Sequence, residues 1–481
     1  MADGADRTHP SAGAPAGEQQ DRWWLVAAAG LAVFMASVDM SIVSVALPVI
    51  ERDLQVPTSV SEWVVLAYAL PLAGLALPSG RWLDTIGRRS ALVFSLAGFA
   101  IASVAAGLAP GPAWLIGARL VQGAFGALLF SLVPALATAA VRPAARGRAM
   151  GLITTLGPIG LISGPLLGGL LVDGLGWASI FFVNVPVSLV VLTVGLRFLP
   201  AGPSLQAPDR SWFAETLLLS GAVAALLLSL TFTAADGPGW LLLALVAVPL
   251  LGGWLHLPTS RPVRHLLGAP GELGSHLALA LTATAIGVVF FITPFFLQRS
   301  LDEPASAVGV TILAFPAGMA LTGFAGGFLG DWWGVRRTAA VGAAVFTVGL
   351  ALLVPLDESW GLDEVAWRLF LAGCGNGLFN APNMAIAMSN APRKLLATTG
   401  ASTSLARQLG FALGPALATA AWALSNYGPE GMRAAVLLAT ALSAAATAVL
   451  VHWRRADESE PPPRTRDEAA TVSKPSSNEK A

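Results

Sequence analysis

Charge is scarce in this chain. Asp, Glu, Lys and Arg make up 12% of its 481 residues, about half the share of a soluble globular protein. With 55% hydrophobic residues and a mean hydropathy of +0.69, that scarcity excludes a soluble multidomain α/β protein. Basic and acidic residues number 28 each, so no net charge draws the chain to nucleic acid. Cysteine is nearly absent. Cys374 alone cannot form an internal disulfide, and within its apolar run it reads as a small buried residue. One Cys and five scattered His give no metal-ligand cluster. There is no GxxxxGK[ST] sequence and no soluble stretch large enough for a nucleotide-binding domain. No nucleophile–base pair can be placed, so neither an enzyme nor an organic cofactor is expected. Residues 1–21 lack the basic start and apolar core of a signal peptide.

What fills the chain instead is apolar runs of about 20 residues, each long enough to cross a bilayer as a helix. Fourteen can be drawn, from 23–47 to 430–453. Backbone groups must be satisfied within each segment in lipid, so the expected fold class is an all-α integral membrane protein. Basic residues fall on one side of these runs. With the N-terminus inside, seventeen Lys and Arg lie on the inner side, Arg81, Arg88, Arg89, Arg336 and Arg337 among them. Four, Arg52, Arg299, Arg368 and Arg433, lie on the outer. The bias predicts a multi-pass protein of the bacterial cytoplasmic membrane with both termini cytoplasmic.

The densest charge near the membrane is Gly80-Arg81-Trp82-Leu83-Asp84-Thr85-Ile86-Gly87-Arg88-Arg89. A near-copy runs from Gly327 through Gly330-Asp331 and Gly334 to Arg336-Arg337. Other landmarks recur at the same offset. Pro48 and Pro294 lie 246 apart, Asp84 and Asp331 247, Arg119 and Arg368 249, and Pro165 and Pro415 250. The chain therefore reads as a disordered tail (1–22), a six-helix bundle (23–199), two accessory helices with linkers (200–273), a second bundle (274–453) and a disordered tail (454–481). The accessory helices are expected to face lipid.

The Gly80–Arg89 stretch and its copy resemble the loop signature of the major facilitator superfamily. Asp39 through Pro48 resembles the first-helix signature of its fourteen-helix drug:proton antiporters, the QacA/EmrB type, departing at Met40-Ser41 and Ser44. Arg119-Leu120-Val121-Gln122-Gly123 resembles the fourth-helix motif. Gly157, Pro158, Gly160, Gly164, Pro165, Gly168 and Gly169 resemble the fifth-helix antiporter motif. Trp177 to Phe181, Asn184, Pro186 and Arg407-Gln408-Leu409-Gly410 also fit. The resemblance covers about residues 23–453. It implies a major facilitator fold and proton-coupled antiport, with protons as the coupling ion. It implies also that the helix-5 motif limits proton leak.

Two intramembrane charges are the candidates for proton coupling, because a carboxylate in lipid is costly unless it is paired, protonated or functional. At 1.5 Å per residue, Asp39 lies about 12 Å and Arg119 about 10 Å below the outer surface, so they share a depth. Gln122, one turn further along the face of Arg119, is a candidate substrate contact. Asn376, Asn380 and Asn383 occupy one helical face and, with Arg407 and Gln408, are candidate substrate contacts. Polar bonding between helices explains them nearly as well. Trp63, Tyr68, Phe290 and Phe295 are candidate apolar walls. Gly80, Asp84, Gly87, Arg88, Arg89, Gly327, Asp331, Gly334, Arg336 and Arg337 are expected to form a paired inner gate. The expected function is alternating-access efflux of small amphipathic drug-like or antibiotic molecules, by a monomer whose partners are these substrates and the bilayer, not nucleic acid. Transport of a single endogenous metabolite, and a membrane sensor or scaffold without transport, are the alternatives.

Overall fold

The computed structural model describes residues 21–142, 145–200, 205–269, 271–390 and 396–457. The side chains of Asp84, Pro158 and Asp331, all predicted site residues, lie outside the described residues. Every regular element among the described residues is a helix. In chain order the first are α1 (Trp23–Leu54), α2 (Thr58–Ser61), α3 (Trp63–Gly74), α4 (Ala76–Thr85), α5 (Arg88–Gly107) and α6 (Pro112–Ala139). Then follow α7 (Arg146–Leu175), α8 (Ser179–Phe182), α9 (Asn184–Phe198), α10 (Arg210–Asp236), α11 (Ala247–His256) and α12 (Arg261–Leu267). The remainder are α13 (Glu272–Phe295), α14 (Ala305–Ile312), α15 (Ala314–Trp333), α16 (Val335–Leu353), α17 (Leu362–Asn390), α18 (Leu396–Ala423) and α19 (Pro429–Asp457). A 3₁₀ stretch, Pro238–Val246, leads into α11, and a π turn, Phe296–Ser300, ends α13.

Among the described residues, ten helical stretches are long and apolar enough to cross a membrane. They become eleven when the bent pair Thr58–Gly74 and Ala76–Leu83, angled by 53°, is taken as one span. Fourteen were expected. The bend has a local cause: Pro78 has no N–H for the carbonyl of Gly74, four residues back, and its ring crowds that carbonyl. Pro316 stands in the same relation to Ile312, where α14 gives way to α15. The helices α7, α17 and α18 have 30, 29 and 28 residues but are not among the ten. Three Asn in α17 and Arg407-Gln408 in α18 lower the mean hydropathy there, whereas Ile159–Leu175 of α7 is itself apolar.

The chain divides into two compact units. Unit 1 holds Met1–Ser220 with Pro304–Val310; unit 2 holds Gly221–Glu303 and Thr311–Ala481. The segment Pro304–Val310 joins unit 1 because glycine lets its backbone lie against α7. A Cβ on Gly309 would strike the Pro165 carbonyl, and one on Gly169 that of Ala305. Asp173 also accepts the Ser306 N–H at 2.8 Å.

Helix packing within lipid gains little from expelling water and depends on close van der Waals contact. In unit 1, α7 lies flush on α1 through its glycines. A Cβ at Gly160 would sit 2.5 Å from the Phe34 carbonyl, and one at Gly168 2.8 Å from that of Ile42. The rest of this core is large apolar side chains, Leu72, Leu96, Phe99 and Leu132 among them. In unit 2, Ala278, Ala343, Phe379 and Ala446 mark the centre where α13, α16, α17 and α19 meet.

The accessory helices differ from the expectation that both face lipid. The stretch Pro238–His256 is only 11% buried, but α10 is anchored at its first turns within unit 1. Glu215, 1% exposed, forms an ion pair with Arg81 of α4. The Trp82 indole donates to the Gln206 carbonyl at 2.9 Å and its ring lies 6.1 Å from Trp212. A carboxylate cannot be left unpaired at such burial, so Glu215 turns this end of α10 toward protein.

Candidate functional site

The site in unit 1 is built on Asp39, at mid-length of α1 and 1% exposed. Arg119 reaches it from α6, with Nη1 2.6 Å from Asp39 Oδ2. The other oxygen, Oδ1, accepts two amide N–H bonds, from Gln122 at 2.8 Å and Asn184 at 2.6 Å. Both carboxylate oxygens are thereby satisfied. The guanidinium is held as fully: Nε donates to the Val64 carbonyl of α3 at 2.9 Å, and Nη1 also donates to Gln122 Oε1 at 2.7 Å. The Tyr68 ring lies 4.2 Å and the Phe181 ring 5.6 Å from its centre, closing its faces with aromatic surface. Ser103 of α5 accepts from Gln122 at 2.8 Å. Arg119, Gln122, Asn184 and Ser103 are each 1% exposed or less.

Such a cluster tolerates a buried charge pair because both carboxylate oxygens and the facing guanidinium nitrogens have partners, and removing one partner leaves the other uncompensated. Chemically it can do one thing. A proton added to Asp39 discharges the carboxylate, converts an acceptor into a donor and leaves Arg119 without its counter-charge. Asn184 and Ser103 were not among the predicted site residues. Asn184 stands in the resemblance to the family, but its place beside Asp39 is a lateral relation between helices that linear spacing does not carry.

The glycine face of α7 abuts this same stretch of α1. Gly157 lies against Val33, Gly160 against Phe34 and Ser37, Gly164 against Ser41, and Gly168 against Ile42, so the contact brackets Asp39 along the helix. Pro165 is buried in this segment.

The remaining predicted contacts are dispersed. In unit 1, Trp63 is half-buried at the start of α3, whereas Tyr68 is packed on Arg119 and donates to the Ala36 carbonyl at 3.3 Å. In unit 2, Phe290 is half-buried with its ring 5.3 Å from Phe315. Phe295 is fully buried, between Phe291 and Trp422. Asn380 donates to Asn376 at 2.8 Å, and Asn383 donates to the Ser275 carbonyl of α13 at 3.2 Å. Asn383 thus acts as a bond between helices. Arg407 and Gln408 are half-buried, with Gln408 donating to Ser404 at 3.2 Å.

A family model described as Major Facilitator Superfamily matches residues 29–415 and, in a second match, 275–478. The chain belongs to the Major Facilitator Superfamily. The Tetracenomycin C resistance and export protein of Streptomyces glaucescens is 30% identical over 403 residues, spanning 82% of this chain and 75% of that protein. The Multidrug resistance protein Stp of Mycobacterium tuberculosis is 32% identical over 428 residues, spanning 85% and 78%. Among solved structures, a bacterial homologue of the human lysosomal transporter Spinster, inward-facing and occupied, shares the fold. Its TM-score is 0.68 at 17% identity, over 93% of this chain and all of that one.

In this member of the superfamily the Gly80–Arg89 stretch is largely helical. The helix α4 runs through Thr85, and only Ile86 and Gly87 separate it from α5. Gly80 is half-buried with no atom near its Cα side, Gly87 is buried, Arg88 is exposed and Arg89 half-buried. In the copy, Gly334 at φ +99° makes the turn from α15 into α16, a conformation open to glycine alone at low cost. There Gly327 and Arg337 are exposed and Arg336 half-buried.

Two carboxylates outside the spans are also ordered. Asp21 accepts the Arg142 backbone N–H at 2.8 Å, which holds its carboxyl below the usual carboxylate range. Asp209 caps α10, accepting the Ser211 hydroxyl at 2.8 Å and the Trp212 N–H at 2.9 Å, and is lowered by those bonds.

Proposed function

We propose that this protein exports drug-like or antibiotic small molecules across the cytoplasmic membrane by proton antiport and alternating access. The observation that carries the reading is the Asp39–Arg119–Gln122–Asn184 cluster, in which both oxygens of a titratable carboxylate inside the membrane span of a superfamily member are bonded. The names of the similar proteins, which speak of resistance and export, give the direction and the class of substrate. Asp39 takes a proton from outside and resets the carrier; Arg119 tunes it by supplying the counter-charge.

Within this reading the chain crosses the membrane fourteen times, counting the bent pair α3–α4 once and adding α7, α17 and α18. Both termini are cytoplasmic and the protein works as a monomer. Trp63, Phe290, Asn376, Asn380, Arg407 and Gln408 contact substrate at some stage of the cycle. The tight α1–α7 contact beside Asp39 limits proton leak, because an interface without room for side chains has no room for water. The two signature stretches act as a gate. The test is efflux of fluorescent dyes or antibiotics from vesicles under an imposed pH gradient. Asp39→Asn is expected to abolish gradient-driven efflux while leaving substrate binding measurable. Full gradient-driven efflux in that variant refutes the proton role.

A further inference from the structure

The Asp39 cluster leaves a second set of buried ionisable groups unused. At the start of α13, Glu272 is 0% and His276 6% exposed, one helical turn apart. Glu272 Oε2 lies 3.3 Å from His276 Nδ1 and 3.4 Å from the Ser275 hydroxyl. Its other oxygen, Oε1, is buried with no hydrogen-bond partner. A helix that only needed to pack would do so better with an apolar side chain at either position.

The surroundings of the imidazole define two states. Nδ1 is 2.9 Å from the Glu272 backbone carbonyl, which can only accept, so Nδ1 carries a proton. Nε2 is 2.8 Å from the Ser402 hydroxyl of α18, and that hydroxyl also lies 3.1 Å from the Thr399 carbonyl. When Ser402 donates to Nε2, the imidazole is neutral. When Ser402 donates to Thr399, Nε2 must itself be the donor and the imidazole is a cation. Rotating one hydroxyl therefore satisfies both protonation states, and the Glu272 carboxylate beside Nδ1 supplies the counter-charge of the second.

A recess bordered by Gly271, Gly274, Ser275 and Arg336 adjoins the pair. Gly271 keeps it open: at φ +83°, a Cβ there would also lie 2.6 Å from Asn390 Nδ2 and 3.5 Å from Arg336. Among the described residues, the other charged and titratable groups around this end are few. Arg264 and His265 on α12 and His452 on α19 are exposed, Arg336 on α16 is half-buried, and Arg407 lies further along α18. The face of α17 offers only the uncharged Asn383 and Asn390.

We propose that Glu272, His276 and Ser402 form a second proton-binding site, wholly within unit 2, that takes up and releases one proton independently of Asp39. Its place in a transport cycle rests on the antiport reading; there it would exchange its proton at the end of α13 that the basic residues assign to the cytoplasm.

The test uses the full-length protein in lipid vesicles and reads imidazole protonation directly by pH-difference infrared spectroscopy. His276→Gln is expected to remove a titrating imidazole band that Asp39→Asn leaves in place. Glu272→Gln is expected to keep that band and move its midpoint down by about one pH unit, because the cation loses its counter-charge. Ser402→Ala, expected to displace the same midpoint, serves with it if His276→Gln does not fold. A His276→Gln spectrum superimposable on wild type, or an unmoved midpoint in Glu272→Gln and Ser402→Ala, overturns the proposal. Gradient-driven efflux that persists in Asp39→Asn refutes antiport through Asp39 but leaves the His276 band standing, so the two failures are distinguishable.

Discussion

The Asp39–Arg119 pair makes a quantitative prediction through a double-mutant cycle. Arg119→Leu removes hydrogen bonds to Asp39, Gln122 and the Val64 carbonyl, and leaves a buried carboxylate facing only two neutral amides. Breaking a buried pair from one side costs about 3–5 kcal/mol. Asp39→Leu strands the guanidinium and is expected to cost a similar amount, about 3–5 kcal/mol. The double variant buries no uncompensated charge. It leaves Gln122 Oε1 without its donor, at about 1–3 kcal/mol, and removes the second bond to the helical Val64 carbonyl, at about 0.5–1.5 kcal/mol, partly offset by two added apolar side chains. Its cost is then about 2–4 kcal/mol, against about 6–10 kcal/mol for additive single changes. Unfolding by a denaturing detergent in mixed micelles, followed by loss of helical circular dichroism, measures all four corners. Additivity, with the double variant as unstable as the sum of the singles, would refute the claim that these charges hold one another.

Three further outcomes follow from other contacts. Glu215→Gln is expected to free the start of α10 from Arg81 and raise hydrogen exchange over its first turns by roughly 5- to 30-fold, the effect of about 1–2 kcal/mol; unchanged protection would mean the ion pair does not anchor it. Gly160→Leu, whose Cβ must displace the Phe34 carbonyl, is expected to destabilise by about 1–3 kcal/mol, while Gly174→Ala, with nothing within 4 Å, leaves the melting temperature unchanged. Asp21 is lowered by the Arg142 N–H, so its contribution is present above the unfolded carboxylate value near about pH 4 and is lost as pH falls through the lower folded value. Asp21→Asn should therefore melt below wild type at neutral pH, with the gap closing in acid; a gap independent of pH contradicts this.

That Asp39 and Arg119 share a depth was legible because helical rise is fixed, so distance from a helix end translates into height in the membrane. Who stands beside them at that height was not. Asn184 and Ser103 come from α9 and α5, and no period within one helix reveals a neighbour on another. Glu272 was hidden by a boundary. With the apolar segment drawn to begin at 274, it fell into the linker and its i, i+4 relation to His276 went unseen. Hydropathy found the spans where side chains are uniformly apolar. The signal is weaker over α17 and α18, where Asn and Arg dilute it. Of the accessory helices only the start of α10 departs from the lipid-facing expectation, because overall apolarity outweighs Glu215, the residue whose ion pair sets which way that end faces.

Asp39 holds α1 to α6 through Arg119 and Gln122, and to α9 through Asn184, so three helices are moored to one carboxylate. Under the antiport reading, this arrangement matches the scale of the available driving force. One proton moving down a gradient of one pH unit and 100 mV releases about 1.4 plus about 2.3 kcal/mol. A hydrogen bond to a charged group contributes about 1.5–3 kcal/mol. A single proton therefore carries enough energy to undo one or two of these moorings, but not to unfold the bundle around them. The knot is strong enough to define a resting state and weak enough for one ion to untie.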